Sequence, residues 1–232
     1  MMHHEGDSDR MNIAIDGPAG AGKSTVARKV AEQLGYVYID TGAMYRAVTL
    51  CAQRAGISAD EPVKLAELAR SLKIDLEPGE HGQSVYVNGD NVTALIRSRE
   101  VTLQVSHVAA NETVREVLGV MQRHLAARKG VVMDGRDIGS HVLPNAELKI
   151  FLTASVKERA LRRHREMADN QTITLEQLES EIAERDRLDE QREISPLICA
   201  SDAVVMDSTG MTIDEVIDAI VKLSRTKLAE AK

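Results

Sequence analysis

Apolar positions along the chain fall into two patterns that alternate. Short, continuous, β-rich runs occupy residues 12–15, 36–39, 131–133, 148–152 and 203–206. Runs of that length without a polar alternation suit strands buried on both faces of a parallel sheet. Between them the apolar residues recur at helical spacing. Residues 112–128 place Val114, Val117, Leu118, Met121 and Leu125 on one face and stop at Gly130, and the last segment does the same with Ile213, Val216, Ile217, Ile220 and Val221. Three helix starts read as capping boxes: Ser155 with Glu158, Thr174 with Gln177, and Thr212 with Glu215. The expected fold is α/β, a five-stranded parallel sheet flanked by helices on both faces.

One region breaks this rhythm. Residues 72–76 and 84–87 alternate apolar with polar, an Asn88-Gly89 turn follows, and residues 91–93 continue the pattern. This predicts a small antiparallel β insert, within an acceptor-side segment of about 61–97, serving as decoration or as a mobile cover for a second substrate. A helical lid is expected at about 154–174, where Arg159, Arg162 and Arg163 follow the fourth strand at helical spacing. An arginine-rich helix is ordinarily a solvated face, so this reading depends on what the strand edge carries.

The strand at 12–15 leads into Gly17-Pro18-Ala19-Gly20-Ala21-Gly22-Lys23-Ser24, followed by Thr25 and an amphipathic run to Leu34. This is the phosphate-binding pattern G-x-x-x-x-G-K-[ST] in its strand–loop–helix setting. Glycines let the backbone turn its N–H groups onto an anion, and the following helix adds its positive end. Lys23 is expected to reach the outer phosphates of a nucleoside triphosphate, projecting into a solvated site, and the Ser24 hydroxyl to ligate the accompanying Mg²⁺. The fold is therefore expected to be a P-loop fold.

Composition narrows the class. The 232 residues suffice for one substantial core, which must rest on Val, Ile, Leu, Ala and Met because the chain has one Phe and no Trp. A net charge of −7 argues against nucleic acid or an anionic membrane as a partner, so phosphorylated substrates must be held by local arginines. Cys51 and Cys199 stand alone, without metal-type spacing, as expected of thiols in a cytoplasmic protein. No membrane-length apolar run occurs. Residues 1–10 are polar and read as a disordered extension or a cloning remnant, with the P-loop domain spanning 11–232.

Four clusters lie where a strand edge would bring them to the phosphate loop. Asp40-Thr41-Gly42-Ala43-Met44-Tyr45-Arg46 follows the second strand. Asp134-Gly135-Arg136-Asp137 ends the third. Ser106 and Arg115 lie on the helical region before it. Arg185, Asp189 and Arg192 share a helix face, where an Arg185–Asp189 ion pair is the plain structural reading.

With I-D-G-P-A-G-A-G-K-S-T, Y-I-D-T-G-A-M-Y-R, M-D-G-R-D-I-G, K-I-F-L-T-A-S and E-R-D-R-L-D, the chain resembles the bacterial-type cytidylate kinases from Asn12 to about Lys227. The antiparallel insert is likewise a feature of that family. The resemblance implies phosphoryl transfer from ATP, with Mg²⁺, to CMP, and to dCMP as a second acceptor, by a monomer. It places Thr41, Arg115, Asp137 and Arg192 at the cytosine, Arg46 and Arg136 at the acceptor phosphate, and Ser106, Arg185 and Asp189 around the ribose. Thr41 stands where many members have Ser, Leu188 where some have Arg, and residues 169–172 lack a Lys-Gly often found there.

The acceptor is already an anionic oxygen, so no general base is needed, and positioning and charge neutralisation carry the reaction. Lys23, Arg46, Arg136 and the lid arginines Arg159 or Arg163 are the catalytic candidates. Two rivals are excluded or held open by the residues. A regulatory GTPase needs a guanine-reading N-K-x-D, and no Asn-Lys pair exists. A kinase of the same scaffold acting on UMP, AMP or a non-nucleotide differs only in pocket contacts.

Overall fold

The computed structural model describes residues 10–79, 82–166 and 173–230. Residues 1–9, the tip of the expected lid (167–172) and residues 231–232 lie outside the described set. In chain order the elements are β1 (Asn12–Asp16), α1 (Lys23–Leu34), β2 (Val37–Asp40), α2 (Thr41–Arg54), α3 (Pro62–Ser71), β3 (Ile74–Gly79), β4 (Gly82–Val87) and β5 (Asp90–Asn91). A 3₁₀ turn at Leu95–Arg97 leads to α4 (Arg99–Ala109), α5 (Glu112–Ala126) and β6 (Val131–Gly135). A π-turn at Ile138–Val142 precedes β7 (Leu148–Thr153), α6 (Val156–Glu166), α7 (Leu175–Gln191), β8 (Val204–Asp207) and α8 (Ile213–Glu230).

The main sheet is parallel and five-stranded, in the order β2-β6-β1-β7-β8. Its centre is β1, whose Ile13 is in register with Val132 and with Leu148. β1 and β6 are buried along their whole length, which explains their unbroken apolar runs. One face packs Ile13, Ile15 and Ile150 against Val26 and Val30 of α1 and Ile217 and Ile220 of α8. The other packs Ile39 and Met133 against Ala126, Ile138 and Val142. All five strands therefore present their carboxyl ends to one edge, where the phosphate loop sits.

The insert forms a three-stranded antiparallel sheet, β3-β4-β5, turned at Asn88 and Gly89, whose φ values of 51° and 91° both require the left-handed region. It is not a free cover: Val85, Val87 and Val92 share a core with Leu65, Val48 and Leu118 from α3, α2 and α5. Gln83 also stitches it to the main sheet, accepting from the Asp40 N–H at 3.0 Å and donating to the Tyr38 carbonyl at 2.7 Å. β3 runs from Ile74 to Gly79 rather than over 72–76, because Leu72 closes α3 and is buried beneath it.

Two helix faces differ from the periodicity. α5 buries Val114, Arg115, Leu118, Gly119, Gln122 and Ala126, leaving Leu125 43% exposed. The helix is rotated because Arg115 is drawn inward by a carboxylate, and Gln122 follows it on the same stripe. In α8, Ile213 is 49% exposed at the first position, while Val216, Ile217, Ile220 and Val221 are buried with Ser224. The capping reading holds at Thr174, where both bonds with Gln177 form, and at Thr212 with Glu215. Ser155 caps only one way, accepting from Glu158 N–H at 3.2 Å while its own N–H goes to Thr209.

Candidate active site

The phosphate loop leaves β1 at Gly17 and closes on α1. A Cβ at Gly17 would lie 1.9 Å from the Leu152 carbonyl oxygen, so the loop passes β7 only as glycine. Gly22 caps α1 with φ 85° and no side-chain bond, so the first helix N–H groups, at Lys23, Ser24 and Thr25, have no side-chain cap and can serve an anion. The Lys23 ammonium is folded back on the Pro18 carbonyl at 2.7 Å and is 5% exposed, not projecting into solvent as expected. Burial pushes its pKa well below the usual lysine value, with Arg136 and Arg185 adding to the fall and Asp134 opposing it.

Ser24 Oγ donates to Asp134 Oδ2 at 2.9 Å, and the Tyr38 hydroxyl donates to Oδ1 at 2.9 Å. Burial raises the Asp134 pKa to about 7, helped by Asp40 and opposed by Lys23. A hydroxyl and a carboxylate so placed are oxygen donors that fit Mg²⁺, which uses few protein ligands and keeps water and phosphate oxygens for the rest. Among the described residues no cluster of three or more His, Cys, Asp or Glu offers a fuller metal cage.

Asp40 ends β2 and caps α2 by accepting from Ala43 N–H at 2.8 Å. Thr41 directs its hydroxyl to the Asp134 carbonyl at 2.7 Å. Arg46, one turn further on, donates to Thr102 Oγ1 at 2.7 Å. Its pKa is lowered to about 10 by burial, with Arg97, Arg136 and Arg163 adding to the fall against Asp40. Arg185 is pushed down to about 9 by burial, Arg136 and Arg46, with Asp189 and Asp186 opposing, and its Nε is buried without a partner among the described residues. Guanidinium remains charged under such pressure. Arginines crowded closely enough to repel one another form a receptor for a dianion such as phosphate.

Arg136 itself donates from Nε to Asp189 Oδ2 at 2.8 Å, and Ser106 Oγ donates to Oδ1 at 3.0 Å. Burial of Asp189 is outweighed by Arg136, Arg185 and Arg192, which hold its pKa below the usual carboxylate value. Its bonded partner is thus Arg136 from the β6 edge, across 53 residues, and not Arg185 on its own helix. Deeper in, Asp137 accepts from Arg115 Nη2 and has Arg192 Nη2 3.7 Å from its other oxygen. Arg115 is further fixed by the Ala109 carbonyl at 3.1 Å and by the Tyr45 ring, 5.4 Å from its Cζ. Arg192 donates to the Ser195 carbonyl at 2.7 Å. Asp137 therefore serves a pair of arginines distinct from its neighbour Arg136. Two adjacent residues thus bond to different partners, Arg136 to Asp189 and Asp137 to Arg115.

The cytidylate kinase family model matches residues 13–226. The chain belongs to the cytidylate kinase family. The cytidylate kinase of Lysinibacillus sphaericus is 55% identical over 222 residues, covering 94% of this chain and 98% of its own. That of Geobacillus kaustophilus is 54% identical over 220 residues, covering 94% and 98%. An uncharacterised protein from Eubacterium ventriosum of known crystal structure aligns over 94% of this chain and 99% of its own, with a TM-score of 0.54 at 11% identity, a likeness of fold alone.

As a member of the cytidylate kinase family the chain is a phosphotransferase, and the arginines of α6, expected to carry a lid, are placed differently from one another. Arg159 is buried, donating to the carbonyls of Ala154 (2.9 Å) and Ala19 (2.7 Å) and to Asp186 (2.6 Å). Arg162 is tied to Ser208 through its hydroxyl at 3.0 Å and its carbonyl at 2.7 Å. Arg163 pairs with Glu166 at 3.6 Å, remains half exposed, and is the arginine of α6 whose charge is felt at Arg46. Sequence reading missed four residues of this kinase site: Asp16, Tyr38, Arg97 and Asp186. Asp16 and Tyr38 lie inside the quoted motifs, whereas Arg97 is distant from all of them in sequence and reaches Asp40 Oδ2, at 3.5 Å, only in the fold. Asp186 also lies inside one of the motifs, E-R-D-R-L-D, but the reading of that helix face took Arg185, Asp189 and Arg192 and passed over it.

Proposed function

We propose that the chain transfers the γ-phosphoryl group of ATP to CMP, and to dCMP, giving ADP and the corresponding diphosphate, by in-line transfer with Mg²⁺ as the metal of ATP. The observation that carries this reading is the separation of duties at the end of β6. Arg136 joins the arginine cluster with Arg46 and Arg185, while Asp137 is held by Arg115 and Arg192. A phosphate dianion suits the first group. A base with an amine donor beside a ring acceptor suits the second, since Asp137 accepts from cytosine's amine and a guanidinium donates to its N3.

The donor phosphates lie in the loop of residues 17–24, with Lys23 leaving the Pro18 carbonyl to meet them. Ser24 and Asp134 hold the metal, which neutralises charge on the phosphates when bound. Arg46 and Arg136 fix the acceptor oxygen in line, Thr41 borders the base, and Ser106, Asp189 and Arg185 meet the sugar. Closure of the lid over about 154–174 excludes water, which would otherwise accept the phosphoryl group, and brings Arg163 to the transferring group. The enzyme acts as a cytoplasmic monomer on free nucleotides, without nucleic acid or membrane. No described helix is long and apolar enough to cross a membrane.

Asp137→Ala tests the base assignment. Uracil presents an oxygen and an N–H where cytosine presents the amine and the ring acceptor, so the wild-type carboxylate favours only cytosine. The variant should lose kcat/KM for CMP by roughly 10²–10³-fold but for UMP by about tenfold or less, narrowing the CMP:UMP ratio. An unchanged ratio with both acceptors equally impaired would return Asp137 to a purely structural role.

A further inference from the structure

Both backbone groups of Ala19, in the middle of the phosphate loop, are held by side chains from outside it. Its N–H donates to Asp186 Oδ1 at 2.9 Å, and its carbonyl accepts from Arg159 Nη1 at 2.7 Å. The same Nη1 donates to Asp186 Oδ2 at 2.6 Å, so peptide, guanidinium and carboxylate close a ring. Arg159 is anchored in turn through Nε to the Ala154 carbonyl at the base of α6. At the next residue, Gly20, φ is +74°, and a Cβ would stand 3.3 Å from Arg159 Cβ and 3.7 Å from Ile182 Cδ1. Helices α6 and α7 therefore grip the loop at Ala19 and pack closely on Gly20, whose positive φ favours glycine.

The grip is buried: Arg159 is 4% and Asp186 7% exposed. Taking both charges out of water is costly, and a surface helix has no need of it for stability alone. Asp186 also lies one turn before Asp189 on α7. The first carboxylate holds the donor loop, and the second holds Ser106 and Arg136 on the acceptor side. A single rigid helix thus spans both halves of the site.

We propose that Asp186 is a positioning residue for the donor phosphate loop. With Arg159 it fixes the Ala19 peptide, and through α7 it sets that loop in register with the acceptor site. The proposal rests on residues 17–24 being the ATP site. A loop held in one shape presents its N–H groups to phosphates without a cost of ordering, so the clamp acts on ATP affinity. Because α7 also carries Asp189, filling the acceptor site steadies the donor loop, and ATP and CMP favour each other's binding.

The test is calorimetric binding of a non-hydrolysable ATP analogue, with and without CMP, to the parent, Asp186→Asn, Arg159→Lys, Arg159→Met, the Asp186→Asn/Arg159→Met pair, and Lys23→Ala. Asp186→Asn keeps volume but loses the charge that holds Arg159. Arg159→Lys keeps charge and loses the fork. Asp186→Asn and Arg159→Met should each weaken analogue binding on the order of tenfold, Arg159→Lys by less. The double variant should be no weaker than the worse single one, because both remove one clamp. CMP affinity without analogue should stay within about twofold, while the enhancement that CMP gives analogue binding disappears. Unchanged analogue affinity in Asp186→Asn and in Arg159→Lys overturns the proposal. So do additive losses in the double variant, or an intact CMP enhancement, since a guanidinium acting directly on the transferring group would behave that way. If Lys23→Ala weakens binding and the clamp variants do not, the clamp alone fails. If Lys23→Ala binds as the parent does, the donor-site reading fails with it.

Discussion

The Lys23 ammonium waits on a backbone carbonyl, desolvated and among arginines that lower its pKa. Such a charge contributes little to stability where it lies, because burial works against it before any phosphate arrives. Its worth is realised only with a nucleotide bound. Lys23→Ala should therefore abolish turnover while leaving the unfolding temperature of the ligand-free protein unchanged or slightly raised. Steady-state ADP release and thermal unfolding check both halves. Normal turnover would contradict the phosphate-loop assignment, and a fall in Tm comparable to a core deletion would make Lys23 a structural residue.

Between elements, short polar ties decide where the site residues stand. Asp16 ends β1 and accepts from Ile138 N–H at 2.8 Å and Gly139 N–H at 2.7 Å, so it fastens the π-turn that follows Arg136 and Asp137. Gly139 suits this approach, since a Cβ there would come within 3.3 Å of Asp16 Oδ2. Burial raises the Asp16 pKa to about 6, above the 3.8 of an exposed carboxyl, with both backbone bonds opposing the rise. A folded-state value above the unfolded one means that the folded protein holds the proton more tightly. Its stabilising contribution is complete below about pH 4 and is lost as pH rises through about 6, a change on the order of 3 kcal/mol. Stability of the parent relative to Asp16→Asn should therefore fall between pH 4 and pH 6, measured by denaturant unfolding at each pH. Parallel curves would contradict the raised value.

The same scale shows why some elements were legible and others were not. Strands β1, β6 and β7 lie inside the sheet, so burial on both faces leaves an apolar run that needs no knowledge of partners. α5 was read with Leu125 inward because apolar periodicity counts only apolar residues. Arg115 turned the face instead, its charge satisfied by Asp137, just beyond β6 and 22 residues away. Asp186 was hidden for the same reason, its partners Ala19 and Arg159 being distant in sequence. The phosphate loop was legible because its chemistry lies within one local run of residues. The polar ties across the strand edge become visible only when the sheet order β2-β6-β1-β7-β8 brings them together.

At the scale of the whole molecule, three bodies meet at the carboxyl edge of the sheet. The sheet supplies the phosphate loop and Asp134. The body of α2 to α5 with the small sheet shares one core and supplies Arg46, Ser106 and Arg115. Helices α6 and α7 carry a small core of their own around Ala160, Leu178 and Ile182, and they touch the other two bodies through Asp186 and Asp189. The α6–α7 pair is thus tied by buried polar groups to the phosphate loop and to the end of β6 at once. In the proposed reading, the acceptor's phosphate meets Arg46 and Arg136, and its base meets Asp137. The central claim is that these two sub-sites together select a cytosine nucleotide. ADP release from ATP with CMP, dCMP, UMP and AMP as acceptors tests it most directly. CMP and dCMP should be phosphorylated efficiently, with kcat/KM for UMP and AMP lower by several orders of magnitude, as expected where a wrong base leaves buried charges unpaired. Equal use of UMP or AMP, or ADP release that does not depend on an acceptor, would contradict it.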